Sequence, residues 1–216
     1  MERKTDITLR NERETDFRAV EELTREAFWN VYVPGCCEHY LAHEMRAAPQ
    51  FLPELDFVAE RDGRLLGSIL YARTRIVDAA GREHPVITFG PLSVLPEYQG
   101  QGIGSLLVEH SKKRARELGF PAIVICGDPR YYGRFGFESA EKYGIRDGRG
   151  LFAPALQICW LDPEARRQLP GRFEDGPAYQ IDERKAEEFD RSFPQKEKGS
   201  SPTQARFQEL VSLAHE

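Results

Sequence analysis

Residues 87–119, ITFGPLSVLPEYQGQGIGSLLVEHSKKRARELG, constrain the fold more than any other stretch of the chain. Two apolar, β-branched runs, 86–89 and 92–95, are broken by Gly90-Pro91 and stopped by Pro96, which predicts an interrupted strand. Gln99-Gly100-Gln101-Gly102-Ile103-Gly104 then turns the chain. From there Ile103, Leu106, Leu107, Ala115 and Leu118 recur at helical spacing, opposite Glu109, Lys112, Lys113 and Arg116. Gly119 supplies a helix stop, and Lys113, Arg114 and Arg116 suit the negative end of the helix dipole. The order is strand, glycine-rich turn, amphipathic helix.

A helix that starts from glycines has a chemical use. Its first N–H groups lack intrahelical partners and carry about half a positive charge through the dipole. Glycines let a ligand approach the backbone and permit the positive φ values of an anion-binding nest. An anion such as a pyrophosphate is expected at Gly100, Gln101, Gly102, Ile103, Gly104 and Ser105. Two common phosphate loops do not fit. The nucleoside-triphosphate loop needs Lys followed by Ser or Thr after its last glycine, and Ser105-Leu106 stands there instead. The dinucleotide fingerprint needs Gly-x-Gly-x-x-Gly, whereas the spacing here is Gly100-x-Gly102-x-Gly104.

Gln99-x-x-Gly102-x-Gly104, preceded by a strand ending Val94-x-Pro96 and followed by an amphipathic helix, resembles the acyl-CoA loop of the GNAT superfamily of N-acetyltransferases. The resemblance continues through Ala122-Ile-Val-Ile-Cys126, a second short apolar strand. It includes Tyr132-x-x-x-Gly136-Phe137, similar to the family's late Tyr…Gly-Phe signature. Upstream it takes in a helix at 16–28, a second helix at 38–47 and a hairpin, so that residues 1–160 look like this family.

The resemblance implies an α+β fold. A mixed, mostly antiparallel central sheet would carry flanking helices and one splayed parallel strand pair. It also implies acetyl-CoA as co-substrate and an amine acceptor that is a small molecule or a peptide or protein amine. In that fold the pantetheine arm fills the gap between the splayed strands like an added strand. Pro91 and Pro96 bracketing Leu92-Ser93-Val94 suit this, because proline is excluded from the middle of a fully paired strand. By the same resemblance Leu92, Ser93 and Val94 would bond the pantetheine amides and the thioester carbonyl, and Tyr132 would protonate the leaving thiolate. An edge strand without a ligand is the alternative.

The 216 residues suggest one domain with an appendage: residues 1–160 as the acetyltransferase-like domain and 161–216 as a C-terminal extension. An apolar content of 40%, with 13 Phe and 8 Tyr, suffices for a packed core. A net charge of −5, with no basic patch interleaved with aromatics, argues against a nucleic-acid partner. The charged start MERKTD is followed by no signal-peptide core, and no run approaches a membrane span. A cytoplasmic protein without a membrane partner is expected. Cys36, Cys37, Cys126 and Cys159 form no Cys-x-x-Cys pair, and no His stands beside them at ligand spacing. Reduced thiols and no metal follow. His39 and His43, four apart on a helix, read as solvated surface.

Residues 6–11 read as the first strand. Thr15 or Asp16 caps a helix with the apolar stripe Phe17, Val20, Leu23, Ala27 and Phe28. Tyr40, Leu41 and Met45 are the apolar set of the second helix, and between the two lie Trp29 and Tyr32, in packing or pocket-lining roles. A strand at 55–60 turns at Asp62-Gly63 into a return strand at 65–75, and 79–81 turns again, so these neighbours are antiparallel. The helical connection from Val94 to Ala122 makes those two strands parallel. Residues 155–160 read as the last strand of the domain. In the extension, 162–167 suggests a short helix and 195–202 an exposed linker. Residues 203–214 place Phe207, Leu210, Val211 and Ala214 on one helical face. That stripe must be covered by the chain itself or by another chain, which leaves a homodimer open.

Acetyl transfer to an amine needs a bound thioester, a neutral amine, a stabiliser for the oxyanion and a proton for the thiolate. Backbone N–H groups near 92–94 suit the oxyanion. For the base, Glu44, His43, His84 and Asp128 are candidates, and no spacing selects among them. Neither Ser105 nor Ser111 has a Gly-x-Ser-x-Gly elbow, and Cys126, inside an apolar strand, is expected to hold little thiolate. Direct transfer is therefore favoured over an acyl-enzyme. A non-catalytic acyl-CoA-binding or sensing module is the alternative, and a structural partner protein using the tail helix is a third class.

Overall fold

The computed structural model describes residues 7–216; Asp6, which opens the expected first strand, lies outside them. The chain runs β1 (Thr8–Asn11), α1 (Phe17–Phe28), α2 (Glu38–Ala47), β2 (Phe57–Arg61), β3 (Arg64–Asp78), β4 (Glu83–Val94), α3 (Ile103–Glu117) and β5 (Ala122–Cys126). It continues α4 (Pro129–Tyr132), β6 (Glu138–Ser139), β7 (Ile145–Arg146), β8 (Leu156–Trp160), β9 (Gly171–Glu174), α5 (Glu183–Asp190) and α6 (Pro202–Ser212). Among the described residues no helix is long and apolar enough to cross a membrane.

The strands form one mixed sheet in the order β1-β2-β3-β4-β5-β8-β6. Most pairs are antiparallel; β4–β5, joined through α3, is parallel, and so is β7–β9. Strand β3 is long enough to pair with β2 through its first half and with β9 through its last residues, Arg75–Asp78. The sheet's two faces follow from period-two alternation. Phe57, Ala59, Ile69 and Tyr71 pack with Ile103, Leu107 and Ala115 of α3. Val58, Leu70 and Ala72 pack on the other side with Val20 of α1 and Ala42 and Met45 of α2. The result is three layers, helix–sheet–helix.

Three helical stripes differ from expectation. On α3, Leu106 and Leu118 are exposed, and Val108 takes the buried place. Lys112 is buried too, its stem covering the core while its ammonium donates to the Phe135 carbonyl. On α1 the buried set includes Glu21, Thr24 and Arg25, each bonded to another element. On α6, Leu210 is buried but Val211 is 44% exposed, and Gln204 is buried beside the Asn30 carbonyl.

The expected linker at 195–202 is largely exposed but is tethered at three points. Trp29 Nε1 donates to the Glu197 carbonyl at 2.9 Å, Gly199 N–H donates to Asn30 Oδ1 at 3.0 Å, and the Ser201 hydroxyl donates to the Asn30 carbonyl at 2.6 Å. Helix α5 is held just as firmly. Its Asp190 accepts from Arg25 Nε at 2.6 Å and lies 3.1 Å from Nε2 of His39, which is fully buried rather than solvated. Phe189 and Phe193 pack around the His39 ring at 5.5 and 5.1 Å between centroids.

Candidate active site

The parallel pair β4–β5 is in register at Ile87 and Ile123 alone, and beyond that point the two strands part. Strand β4 also bulges there. Gly90 and Pro91 together oppose Leu70, since Phe89 pairs with Tyr71 and Leu92 with Ile69. Leu95 N–H donates to the Leu66 carbonyl, so by alternation the Ser93 backbone faces β3 while Leu92 and Val94 face the opening. The gap leads into a cleft of about 640 Å³.

One end of the cleft is the first turn of α3. Gly100 and Gly102 hold φ of +73° and +89°, a region that favours glycine, and Gly102 is the N-cap residue with no side chain to satisfy the helix. The unpaired N–H groups of the first turn therefore stay available to an anion. Gln99 pins the loop by donating to the Val94 carbonyl at 3.1 Å. Arg134 brings a cation to the same end. It stacks on the Tyr131 ring at 4.2 Å and reaches Ser105 Oγ at 3.5 Å.

Tyr132 stands further along the cleft, on α4. Pro129 at the first turn and the Asp128 carboxylate, which accepts from Arg130 N–H at 2.9 Å, start this short helix. Phe89 and Phe137 hold the Tyr132 ring at 5.8 Å each, and Gly127 leaves room for it where any Cβ would collide with the ring. Burial pushes the Tyr132 hydroxyl well above the ordinary tyrosine range, so it keeps its proton at neutral pH. Helix α6 braces this region from outside, with Arg206 3.3 Å from Asp128 and Phe207 4.9 Å from the ring of Tyr32.

Away from the glycine loop the lining of the cleft is aromatic and acidic. Tyr32, Leu41 and Phe173 line it, and with them Tyr179, Glu38 and Asp175. Glu38 opens α2, where one carboxylate oxygen accepts the Cys37 N–H at 3.0 Å. Burial raises the pKa of Glu38, and partial desolvation raises that of Asp175, whose side chain is otherwise exposed. Tyr32 is pushed up to about 12 by burial and then by the charge of Glu38. Cys126 ends β5 and is exposed to the cleft, not enclosed by the strand as expected. Its thiol is nonetheless raised by the surrounding walls and by Asp147 and Asp175.

A sequence profile described as the acetyltransferase (GNAT) family matches residues 19–137. The chain belongs to the GNAT acetyltransferase family. It is 32% identical over 169 residues to YhbS of Escherichia coli K12, an uncharacterised N-acetyltransferase; the match covers 78% of this chain and 95% of that one. The crystal structure of Escherichia coli YhbS in complex with CoA matches with a TM-score of 0.70 at 26% identity, over 84% of this chain and 96% of that one. A GNAT acetyltransferase from Brucella melitensis in complex with acetyl-CoA matches with a TM-score of 0.64 at 29% identity, over 80% and 97%.

In this GNAT enzyme the cleft gathers Leu92, Val94, Gln99, Gly100, Gly102, Ile103, Gly104, Ser105 and Tyr132 of the sequence-derived site. Ser93 is turned away. Its hydroxyl donates to Thr24 at 3.0 Å beneath α1. Gln101 points outward and donates to the Glu97 carbonyl at 3.0 Å. None of the four base candidates lines the cleft. His43 pairs with Glu21 at 3.0 Å, His84 with Asp78 at 3.1 Å, Asp128 caps α4, and Glu44 lies on a separate groove beside Tyr40. Sequence reasoning does not find Glu38, Asp175 or Arg134. Of the three, Arg134 alone carries a signal, as a cation inside the Tyr132…Phe137 stretch.

Proposed function

We propose that this GNAT enzyme transfers the acetyl group of acetyl-CoA directly to an amine nitrogen, with both substrates bound in the one cleft. The observation that carries this is the placement of Tyr132 and Glu38 in the same cleft onto which the glycine loop of α3 opens. The pyrophosphate would sit at Gly100–Ser105 with Arg134 beside it, and the pantetheine amides would meet the free edge of Leu92 and Val94. That YhbS and the Brucella enzyme were crystallised with CoA and acetyl-CoA supports this assignment.

Glu38, which makes no ion pair among the described residues, takes one proton from the incoming ammonium and passes it to solvent. The neutral nitrogen attacks the thioester carbon, the C–S bond breaks, and the amine's second proton balances the one that Tyr132 delivers to the departing sulfur. The products are the N-acetyl amine, CoA thiol and one proton. The test is release of CoA thiol from acetyl-CoA across a panel of primary amines, with the acetylated product weighed by mass spectrometry. Tight acetyl-CoA binding without thiol release on any amine would instead make the protein an acyl-CoA-binding module.

A further inference from the structure

Resting on the direct-transfer reading, we propose that Asp175 selects acceptors carrying a second cationic group, so that the substrate is a small diamine or polyamine. The charge inventory of the cleft leads to this. Its lining contains two carboxylates, Glu38 and Asp175, and one cationic side chain, Arg134, which sits at the α3 end beside Ser105. Among the described residues neither Glu38 nor Asp175 is within ion-pair distance of any Lys, Arg or His. Every other arginine pairing near this wall is directed elsewhere, as with Arg172 and Arg75, which both hold Glu174. The acceptor end therefore presents two negative charges where a monoamine brings one positive charge.

The two carboxylates have different settings. Glu38 accepts a backbone N–H at the start of α2 and lies where burial shields it. Asp175 follows β9, in the turn before Tyr179, and its own hydrogen bonds are to backbone N–H groups of that turn. The lining that accompanies them includes Tyr32, Leu41 and Phe173, which suits the methylene chain of an α,ω-diamine. Tyr179 adds an acceptor. Its hydroxyl is buried and lacks a full hydrogen bond, with Thr88 as a polar neighbour in poor geometry and Gly90 packed alongside it. A buried oxygen without a donor is costly, and an ammonium N–H satisfies it. A distal carboxylate, as in an amino acid, would meet Asp175 and no cation.

Three probes separate the possibilities: α,ω-diaminobutane, butylamine and ω-aminovalerate, which share a primary amine on a four-carbon chain and carry at its far end an ammonium, no added group and a carboxylate. With the full-length enzyme and saturating acetyl-CoA, kcat/KM is expected to favour the diamine over butylamine by about tenfold or more, the scale of one charge-assisted hydrogen bond, with aminovalerate last. Asp175→Asn keeps the turn's side-chain acceptor and removes the charge. It should pull the diamine-to-butylamine ratio towards one, chiefly through KM for the diamine. Equal use of diamine and butylamine by the wild type overturns the proposal while leaving direct transfer intact. So does an Asp175→Asn enzyme that loses both amines by the same factor, which marks a structural turn residue. Failure to acetylate any amine defeats the direct-transfer reading itself, and this proposal with it.

Discussion

A Cβ on Gly104 would stand 2.7 Å from the hydroxyl of Tyr131, closer than real Cβ atoms approach their neighbours. The first turn of α3 and the helix carrying Tyr132 thus meet at a residue without a side chain. The glycine loop and the helix of Tyr132 share one narrow contact.

Gly104→Val should therefore weaken acetyl-CoA binding by at least about tenfold, because the side chain crowds both Tyr131 and the space above the helix N-terminus. Titration calorimetry on a variant whose circular dichroism matches wild type measures this. Unchanged affinity in a folded Gly104→Val protein would remove the loop as the pyrophosphate site.

Tyr132→Phe keeps the ring that Phe89 and Phe137 hold and deletes the proton donor. Loss of a general acid costs ~10²–10⁴-fold in the chemical step. We expect that loss in kcat, with acetyl-CoA affinity nearly unchanged. Tyr131→Phe should fall far less, since Tyr131 packs on Phe135 and under Arg134 beside the loop. A Tyr132→Phe enzyme as fast as wild type would leave the thiolate without an assigned acid.

Glu38 must be ionised to accept a proton, and burial raises its pKa. The rate should rise with pH through a value above the ordinary carboxylate range, and Glu38→Gln should lose that limb together with about 10²-fold in kcat. Stability moves the opposite way. A carboxylate whose folded pKa lies above its unfolded value binds more protons when folded, so its contribution is lost as pH rises between the two. Glu38→Gln, neutral at every pH, should then melt above wild type at neutral pH. A slower enzyme that also melts lower would point to a folding defect instead.

The latch between α1, α2 and α5 has its own pH signature. Burial, and then the neighbouring Arg25, lower His39 to about 4 from an ordinary 6.5, with Asp190 opposing the shift. Folding therefore excludes a proton that the unfolded chain binds, and stability associated with His39 grows as pH rises from about 4 to about 6.5. The melting-temperature gap between wild type and His39→Gln should widen over that window and stay flat above it. Asp190→Ala, which strands the buried Arg25 guanidinium, should cost roughly 3 kcal/mol in denaturant unfolding. A gap that is flat throughout would mean that His39 titrates normally.

What is legible in the sequence is local. The bounds of α2, the Asp62-Gly63 hairpin and the glycine turn into α3 each depend on a few adjacent residues, so spacing and turn chemistry suffice to place them. Helical spacing locates the stripe of α3 but not its edges, because Leu106 and Val108 lie on opposite borders of one apolar face. The acceptor end is not legible at all. Glu38 looks like any acid in a first helical turn, where the dipole favours one, and only the assembled fold brings it into the same cleft as Tyr32 and the residues after β9. His39 reads as half of a surface pair until Phe189 and Phe193, some 150 residues on, close over it. Asp175 sits in a turn after a four-residue strand too short to show alternation.

The two ends of the cleft come from distant parts of the polypeptide. The cofactor end is drawn from β4, α3 and α4, while Phe173, Asp175 and Tyr179 enter from β9 and the turn behind it, on the far half of β3. Changes at Phe173, Asp175 or Tyr179 would therefore alter one wall of the cleft without touching the glycine loop, while Tyr32, Glu38 and Leu41 reach the cleft from the α1–α2 region. Under the direct-transfer reading, drift in the stretch after β9 would retune which amine is accepted and leave the glycine loop proposed for the acetyl donor as it is.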